Sequence, residues 1–467
     1  MQAGQILATA LAAIGFVAAA FASLHALLNK RRPQSTFGWI AVCLALPLAG
    51  ALLYYLFGIN RVQARARKLL TGLPPPDCPT EYVGTPPPQL LPLARLGLAV
   101  TGWPLTAGNR VELLHEAQQI FDAMIGTVER AREYVYFSTY IFDGGPLGRR
   151  FADALAKAAE RGADVRVLLD GVGEWYSWSR VSKAFRGTGV RFARFLPPRI
   201  WPPAVSINLR NHRKVLVVDG TEAFTGGINV RDRYLDGAEH QRIVDSHYRV
   251  CGPVITQMET VFLRDWQFAT REASAAPRHV PHPAGGALCR AVPDGPDTTL
   301  DRLTTLLTGA IGSARQRIAI MTPYFVPPRE LIAPLQAAAL AGVDVAVILP
   351  ARNNLPFVHR ATRHLLWEVL ERGVHVYYQP PPFVHSKMFY VDDHYAQIGS
   401  ANFDPRSLRL NFELNIEVYD RDTVTGLARH FEGIRARSTR VTLADVDGRP
   451  VYTKALDGVA WLFSPYL

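Results

Sequence analysis

The sequence predicts an α/β protein in which two tandem β-α-β-α-β units are related by a pseudo-two-fold axis, preceded by an N-terminal transmembrane helical hairpin. Three observations carry that prediction. The string "NHRKVLVVDGTEAFTGGIN" at 211–229 returns as "VHSKMFYVDDHYAQIGSAN" at 384–402, both reading H-x-K-x4-D-x6-G-[GS]-x-N. The segments flanking each copy repeat as well. The first 60 residues hold two apolar runs of about 23 residues, long enough to span a bilayer core. Repeats of roughly 150 to 180 residues are duplicated domains, and a fused pair brings like residues together as an isologous dimer does.

Taken along the chain, residues 1–60 are expected to be two membrane helices, "ILATALAAIGFVAAAFASLHALL" at 6–28 and "FGWIAVCLALPLAGALLYYLFGI" at 37–59. No basic residue precedes the first run, so it lacks the positive start of a signal peptide and is expected to be retained. Both flanks, "NKRRPQST" and "NRVQARARK", are basic, and the expected topology is a hairpin with both ends cytoplasmic. Residues 61–109, with "LPPPDCPTEYVGTPPPQLLPLARL" at 73–96, are expected to be a basic, proline-rich linker without regular structure. The first catalytic unit is placed at 110–272, a Pro/Ala-rich linker at 273–290 and the second unit at 291–467. Each unit opens with a strand run, "YVYFSTYIF" at 134–142 and "RIAIMTPYFV" at 317–326. A helix, a glycine turn and a buried strand follow, in "LAKAAERGADVRVLLD" at 155–170 and "LQAAALAGVDVAVILP" at 335–350. "FRGTGVRFARFLPP" and "LERGVHVYYQPPP" then lead through proline loops to the two H-x-K strands.

The motif itself points to an anion. Residues at i and i+2 share one face of a strand, so His212 and Lys214, and His385 and Lys387, stand side by side. Gly226-Gly227 and Gly399-Ser400 allow close approach of backbone and of Asn229 and Asn402 to a small ligand. Two ammonium groups and two amides suit a phosphodiester. Two histidines divide the labour, one attacking phosphorus and the other protonating the leaving oxygen before taking a proton from the incoming hydroxyl. Asp219 and Asp392 complete the signature, but a carboxylate beside a phosphate opposes anion binding, and both read as structural.

The duplicated H-x-K-x4-D resembles the signature of the phospholipase D superfamily. Five further strings make the chain similar to the bacterial cardiolipin synthases: "MTPYFVPP" at 321–328, "VPDGPD" at 292–297, "NLRNHRK" at 208–214, "GSANFDPRSLRLNFE" at 399–413 and the final "LDGVAWLFSPYL". The resemblance covers essentially the whole chain. It implies two halves packed into one unit, with His212, Lys214, Asp219, His385, Lys387 and Asp392 as the catalytic set. Lys214, Asn229, Lys387, Ser400 and Asn402 would hold phosphate, no metal or cofactor would be needed, and His212 would be the nucleophile. Glu413 and Asp245 would orient the histidines, Asp245 at the looser spacing. Gly227 departs from Ser400 of the second copy, so the halves are expected to differ. The implied substrate is phosphatidylglycerol, the product cardiolipin, and the place a bacterial inner membrane with a multi-pass anchor and a cytoplasmic catalytic domain.

Composition agrees. A net charge of +11 implies an anionic partner, phospholipid or nucleic acid, and nothing in the chain resembles a nucleic-acid motif. Cys43, Cys78, Cys251 and Cys289 have no CxxC spacing, and His240, His247, His359 and His364 no metal-ligand pattern; these histidines read as surface or supporting residues. Trp175 and Trp178 in "EWYSWSR", and Trp201 in "PPRIWPP", stand beside arginines and suit either a membrane interface or cover for the core. A hydrolytic phospholipase D would use the same residues with water as acceptor; a scaffold would have no need of two intact motifs.

Overall fold

The computed structural model describes residues 2–30, 33–59, 83–177, 179–197, 209–235, 242–273, 277–279, 281–296 and 301–464. The chain divides into two units, Met1–Lys68 and Leu69–Leu467.

In the first unit, α1 (Gln2–Asn29) is long and apolar enough to cross a membrane. The second apolar run, expected to be one helix, is broken into α2 (Pro33–Ala45) and α3 (Pro47–Leu53), with a π-turn at Tyr54–Gly58. Leu46 leaves helical geometry because the following Pro47 disfavours it and has no N–H to donate. Small residues of α1, Ala19, Ala22 and Ala26, pack against Cys43 and Tyr54, and His25 Nδ1 lies 2.8 Å from the Tyr54 hydroxyl. Phe16, Phe21 and Leu28 face outward. Small residues inside and large apolar ones outside is the packing of helices in lipid.

The second unit begins with α4 (Leu91–Thr101), inside the segment expected to be an unstructured linker. Pro92 sits in the first turn, where its missing N–H costs nothing. Leu93 and Ala94 are buried against Leu303, Leu306 and Val292 of the second half, so this stretch is part of the fold. The first half continues as β1 (Thr106–Leu114), α5 (Ala117–Glu129), β2 (Tyr134–Thr139), α6 (Pro146–Glu160), β3 (Asp164–Asp170), β4 (Arg191–Phe195), β5 (Val215–Val218), β6 (Glu222–Gly226), β7 (Ile243–Val244), β8 (His247–Cys251) and α7 (Val254–Thr270). The second half contributes β9 (Ala287–Asp294), α8 (Arg302–Ser313), β10 (Arg317–Met321), α9 (Arg329–Leu340), β11 (Asp344–Pro350), α10 (Pro356–Leu370), β12 (His375–Gln379), β13 (Phe383–Val384), β14 (Met388–Val391), β15 (Tyr395–Gly399), α11 (Pro405–Arg409), β16 (Glu413–Tyr419), α12 (Arg421–Arg435), β17 (Thr439–Val441), α13 (Leu443–Asp447) and α14 (Val451–Leu462). The halves differ at one crossover: where α10 stands in the second, the first has only 3-10 turns at Gly173–Tyr176 and Val181–Lys183.

Among the described residues, fifteen strands form one sheet in the order β17-β12-β11-β10-β14-β15-β16-β9-β1-β8-β6-β5-β2-β3-β4. The order reads the same outward from the β9–β1 pair, apart from the extra β17, so the duplication is written into the sheet. Strands β2-β3-β4 and β10-β11-β12 are parallel, and the inner four, β2, β3, β10 and β11, are largely buried, as continuous apolar runs such as "VLLD" and "VAVIL" require, while β4 and β12 toward the edges are partly exposed. Helices on the sheet faces close two equivalent cores, one around Ile120, Phe151, Val167 and Leu216, the other around Leu306, Leu335, Val347 and Phe389. A small parallel pair, β7 with β13, ties the halves at the mouth of the sheet.

Candidate active site

Each H-x-K lies in the extended residues leading into a strand, His212 and Lys214 before β5 and His385 and Lys387 before β14. What holds each histidine comes from the other half. The His212 N–H donates to the Phe412 carbonyl at 2.9 Å, and the next residue, Glu413, places both carboxylate oxygens 2.9 and 3.0 Å from His212 Nδ1. In mirror image, the His385 N–H donates to the Val244 carbonyl at 2.7 Å and Asp245 Oδ2 lies 2.7 Å from His385 Nδ1. The ladder shows that the two carboxylates are equivalent: His247 faces Gly226 and Asn415 faces Gly399, and Asp245 and Glu413 each stand two residues earlier. The looser spacing of Asp245 reflects a longer excursion after Asn229, part of which, 236–241, lies outside the described residues.

The four basic groups form one electrostatic site. Burial pushes His212 down to about 4, against the pull of Glu413 and with Lys214 and Lys387 adding to the fall. His385 is likewise pushed to about 4 by burial and by Lys387, opposed by Asp245. Lys214 is lowered to about 7 and Lys387 to about 8, burial again being the first cause. Glu413, although burial raises it, is held below its ordinary value by His212, Lys214 and the Ser400 hydroxyl. Lys214 Nζ donates to the His212 carbonyl at 2.7 Å, whereas Lys387 Nζ lies 2.5 Å from the His385 carbonyl and 2.9 Å from His385 Nδ1. The Tyr140 and His212 rings meet edge to face with centroids 5.4 Å apart, and those of Tyr324 and His385 are 6.1 Å apart.

Several expected residues take other places. Asp219 and Asp392 stand at the far ends of β5 and β14, about 16 Å along an extended chain from their lysines. There Asp219 accepts the N–H groups of Arg132, Glu133 and Tyr134 at 2.8 to 2.9 Å, and Asp392 those of Arg315, Gln316 and Arg317 at 2.7 to 3.0 Å. Both pin the strand turn, at φ 48° and 50°, to the start of the neighbouring strand, so the structure places them apart from the histidine–lysine pairs. Ser400, expected to hold phosphate, has its hydroxyl behind the carboxylate, donating to Glu413 Oε2 at 2.5 Å and accepting the Leu414 N–H. Gly227 has no side chain because a Cβ would lie 2.3 Å from Asp245 Oδ1. Gly226 and Gly399, at φ 146° and 154°, admit the close approach of the neighbouring strand, at Ser246–His247 and Leu414–Asn415.

Asn229 Oδ1 accepts the Ile141 N–H at 3.2 Å. Asn402 Nδ2 lies 3.2 Å from Ser407 Oγ while its buried Oδ1 has no partner. Turning that amide by half a turn lets Oδ1 accept from Ser407 and leaves the NH2 free to donate. His247, read from the sequence as a surface or supporting residue, is not on the surface: it is buried and lines a small cavity with Lys214, Asn229 and Thr139. Asp170, also buried, pairs with Arg210 at 3.1 Å and accepts the Asn211 N–H, fixing the loop that delivers His212. Arg213 pairs with Asp265 at 2.5 Å and donates to the Glu413 carbonyl at 2.9 Å. No local pattern marks these partners, which are far apart in sequence. Trp178, Trp201, His240 and Cys78 lie outside the described residues; Trp175 is exposed, and Cys43, Cys251 and Cys289 are free and buried.

A duplicated α/β sheet whose two H-x-K motifs lie close enough for the lysine of each to act on the histidine of the other defines the phospholipase D-like class. The family described as "Cardiolipin synthase, PLD-like domain" matches residues 124–266 and 307–435, and "Phospholipase_D-nuclease N-terminal" matches 17–58. A cardiolipin synthase of Geobacillus kaustophilus is 32% identical over 461 residues, covering 96% of this chain and 92% of the relative. A cardiolipin synthase A of Pseudomonas putida W619 is 33% identical over 412 residues, 86% of each. A solved phosphatidylserine synthase of Haemophilus influenzae shares the fold, with a TM-score of 0.64 at 14% identity over 80% of this chain and all of that one. The chain therefore belongs to the cardiolipin synthase family of phospholipase D-like proteins, and it is a phosphatidyltransferase associated with the membrane.

Proposed function

We propose that this enzyme transfers the phosphatidyl group of one phosphatidylglycerol to the terminal hydroxyl of a second, giving cardiolipin and glycerol through a phosphatidyl-His212 intermediate. The observation that carries the reading is the exchange of carboxylates. Each Nδ1 hydrogen-bonds a buried carboxylate from the opposite half, which leaves each Nε2, that of His385 with Lys387 Nζ 3.3 Å away, for chemistry. His212 Nε2 attacks phosphorus as the bond to glycerol oxygen breaks, and His385 Nε2–H gives that oxygen its proton. The hydroxyl of the second lipid then loses its proton to His385 and displaces His212 from phosphorus, restoring both rings.

The asymmetry of the halves supports this order. A phosphorylated imidazole that keeps its Nδ1–H is cationic, and Glu413, with both oxygens within 3.0 Å and a serine behind it, is the better counter-charge. Lys387, 2.9 Å from His385 Nδ1, makes the His385 imidazolium a stronger acid. Lys214, Lys387, Asn229 and Asn402 would balance the non-bridging phosphate oxygens. Because the diester bond is exchanged through the adduct, no nucleotide is consumed. The membrane anchor is read as a hairpin of two membrane-spanning segments with both ends cytoplasmic, on the basic runs that flank them. Purified protein in detergent with labelled phosphatidylglycerol alone tests the reading. Cardiolipin plus glycerol supports it; phosphatidic acid plus glycerol replaces it with hydrolysis, and no turnover overturns it.

A further inference from the structure

The C-terminal helix α14 is apolar on the outside. Val451, Tyr452, Leu456, Val459 and Leu462 are 82%, 70%, 50%, 51% and 67% exposed, while Asp457 and Ala460 are buried against α10. At 100° per residue the exposed positions, with Ala455 and Phe463, fill an arc of about 140° that holds no polar side chain. Asp457, on the inner side, is fully paired with Arg360, Arg363 and Arg449, which fixes the helix in this rotation. At twelve residues, about 18 Å, the helix is too short to cross a bilayer and long enough to lie on one.

This face leads to the active-site mouth. Phe463 stacks edge-on with the exposed Phe357 at 5.6 Å, near the start of α10. Beside it Leu355 is exposed, and the adjoining Asn354 accepts the Tyr324 hydroxyl at 2.9 Å, Tyr324 being the ring that stands against His385. The first half repeats the arrangement. After β3, the equivalent of β11, Trp175 and Tyr176 are exposed, and Tyr176 reaches Tyr140, the ring against His212, at 6.1 Å. The exposed cations Arg180, Lys183, Arg352 and Lys454 flank these segments, against Asp445 and Asp447 in the helix before α14.

We propose that the outer face of α14, with Leu355 and Phe357 on one side of the mouth and Trp175 and Tyr176 on the other, seats the catalytic unit on an anionic phospholipid leaflet, so that lipid reaches the histidines from the bilayer edge-on. This rests on the phospholipid-transfer reading above. The apolar arc supplies the insertion, the flanking cations select acidic headgroups, and the two halves contribute the exposed apolar loops that follow the equivalent strands β3 and β11.

The test uses the full chain on a Cys78→Ser background, with Val459→Cys carrying an environment-sensitive fluorophore, in nanodiscs of phosphatidylglycerol and phosphatidylcholine. Brominated acyl chains are expected to quench the label about two-fold or more, and not a label at Glu129→Cys, beside the N-terminal ends of the strands. An unquenched Val459 label overturns the proposal. So does a label in detergent whose emission shifts with protein concentration, which would mark an interface between copies. In the double variant Leu456→Glu, Val459→Glu, the ratio of turnover on bilayer lipid to turnover on dispersed short-chain phosphatidylglycerol is expected to fall about ten-fold, the effect of some 1.4 kcal/mol of lost insertion. An equal fall on both substrates overturns it, since that is the mark of a structural defect. Quenching does not depend on turnover: a quenched label in a protein that makes no cardiolipin upholds the docking face and refutes the assigned reaction.

Discussion

Replacing Glu413 by Gln keeps the shape of the site and removes one charge, and it tests whether the carboxylate of one half serves the histidine of the other. Glu413 stands 2.9 to 3.0 Å from His212 Nδ1, fully buried. With charge centres about 4 Å apart and an effective dielectric near 20, a cationic phosphoimidazole loses about 4 kcal/mol of attraction when the carboxylate becomes neutral. That corresponds to roughly three decades in the rate of adduct formation. The amide NH2 also meets the Ser400 hydroxyl, which must turn away from its 2.5 Å contact. The assay is single-turnover formation of phosphatidyl-enzyme from labelled phosphatidylglycerol, with melting temperature measured alongside. Adduct formation should fall about a hundred- to a thousand-fold in protein that still melts cooperatively. The counterpart Asp245→Asn acts on His385 and should be partly rescued by a nitrophenyl leaving group that needs no proton, whereas Glu413→Gln should gain nothing from it. Adduct formation within about three-fold of wild type in Glu413→Gln would refute the exchanged-carboxylate mechanism.

His212→Ala and His385→Ala should each abolish lipid turnover, with the double variant scarcely worse, because the pair acts as a unit; appreciable turnover in either, by product chromatography, contradicts the two-histidine scheme. Lys214 and Lys387, lowered to about 7 and 8, are charged below those values and lose their protons above them. The affinity for a soluble phosphodiester of constant charge, read as an inhibition constant, should therefore weaken by about ten-fold or more between pH 6.5 and 9, and a flat profile would exclude the lysines as anion ligands. Ser400→Ala removes the donor behind Glu413 and should cost about 1 to 2 kcal/mol of kcat/KM, while Gly227→Ala, whose Cβ meets Asp245 Oδ1, should impair the His385 step and lower the melting temperature; unchanged kinetics in both would show that neither carboxylate needs its support. Asp219→Ala leaves three N–H groups without an acceptor and should lower stability by about 1 to 3 kcal/mol in denaturant titration with turnover per folded molecule preserved, the reverse of a catalytic residue's behaviour.

The repeat, the order of strands in each half and the pairing of His with Lys were legible along the chain, because strand period, glycine turns and apolar runs are local properties of backbone geometry; the expected second helix of the first β-α-β-α-β unit is replaced by 3-10 turns at Gly173–Tyr176 and Val181–Lys183. A linker reading failed at Leu91–Thr101 for a reason equally physical: proline in a first turn starts a helix, and whether an apolar stretch is ordered depends on a partner surface, here Leu303 and Leu306, some two hundred residues away. The unbroken second membrane segment failed at Pro47, which composition counts as one residue among many and the backbone treats as a stop.

What only the tertiary structure decided is which group serves which. Glu413 reaches His212 across 201 residues and Asp245 reaches His385 across 140, because packing about the pseudo-two-fold axis sets the end of β16 and the segment before β8 against the opposite motif. Sequence spacing records only the distance from Asp245 to its own motif, which the geometry makes irrelevant. Within each half, the folding of the sheet also gives the signature aspartate the start of a neighbouring strand to hold, and in the second half it gives Ser400 the Glu413 carboxylate. Residue types and spacing determined that an anion-binding, doubly histidine-bearing site would exist. Charge exchange between the halves was decided by contacts between residues distant in the chain, where periodicity carries no information.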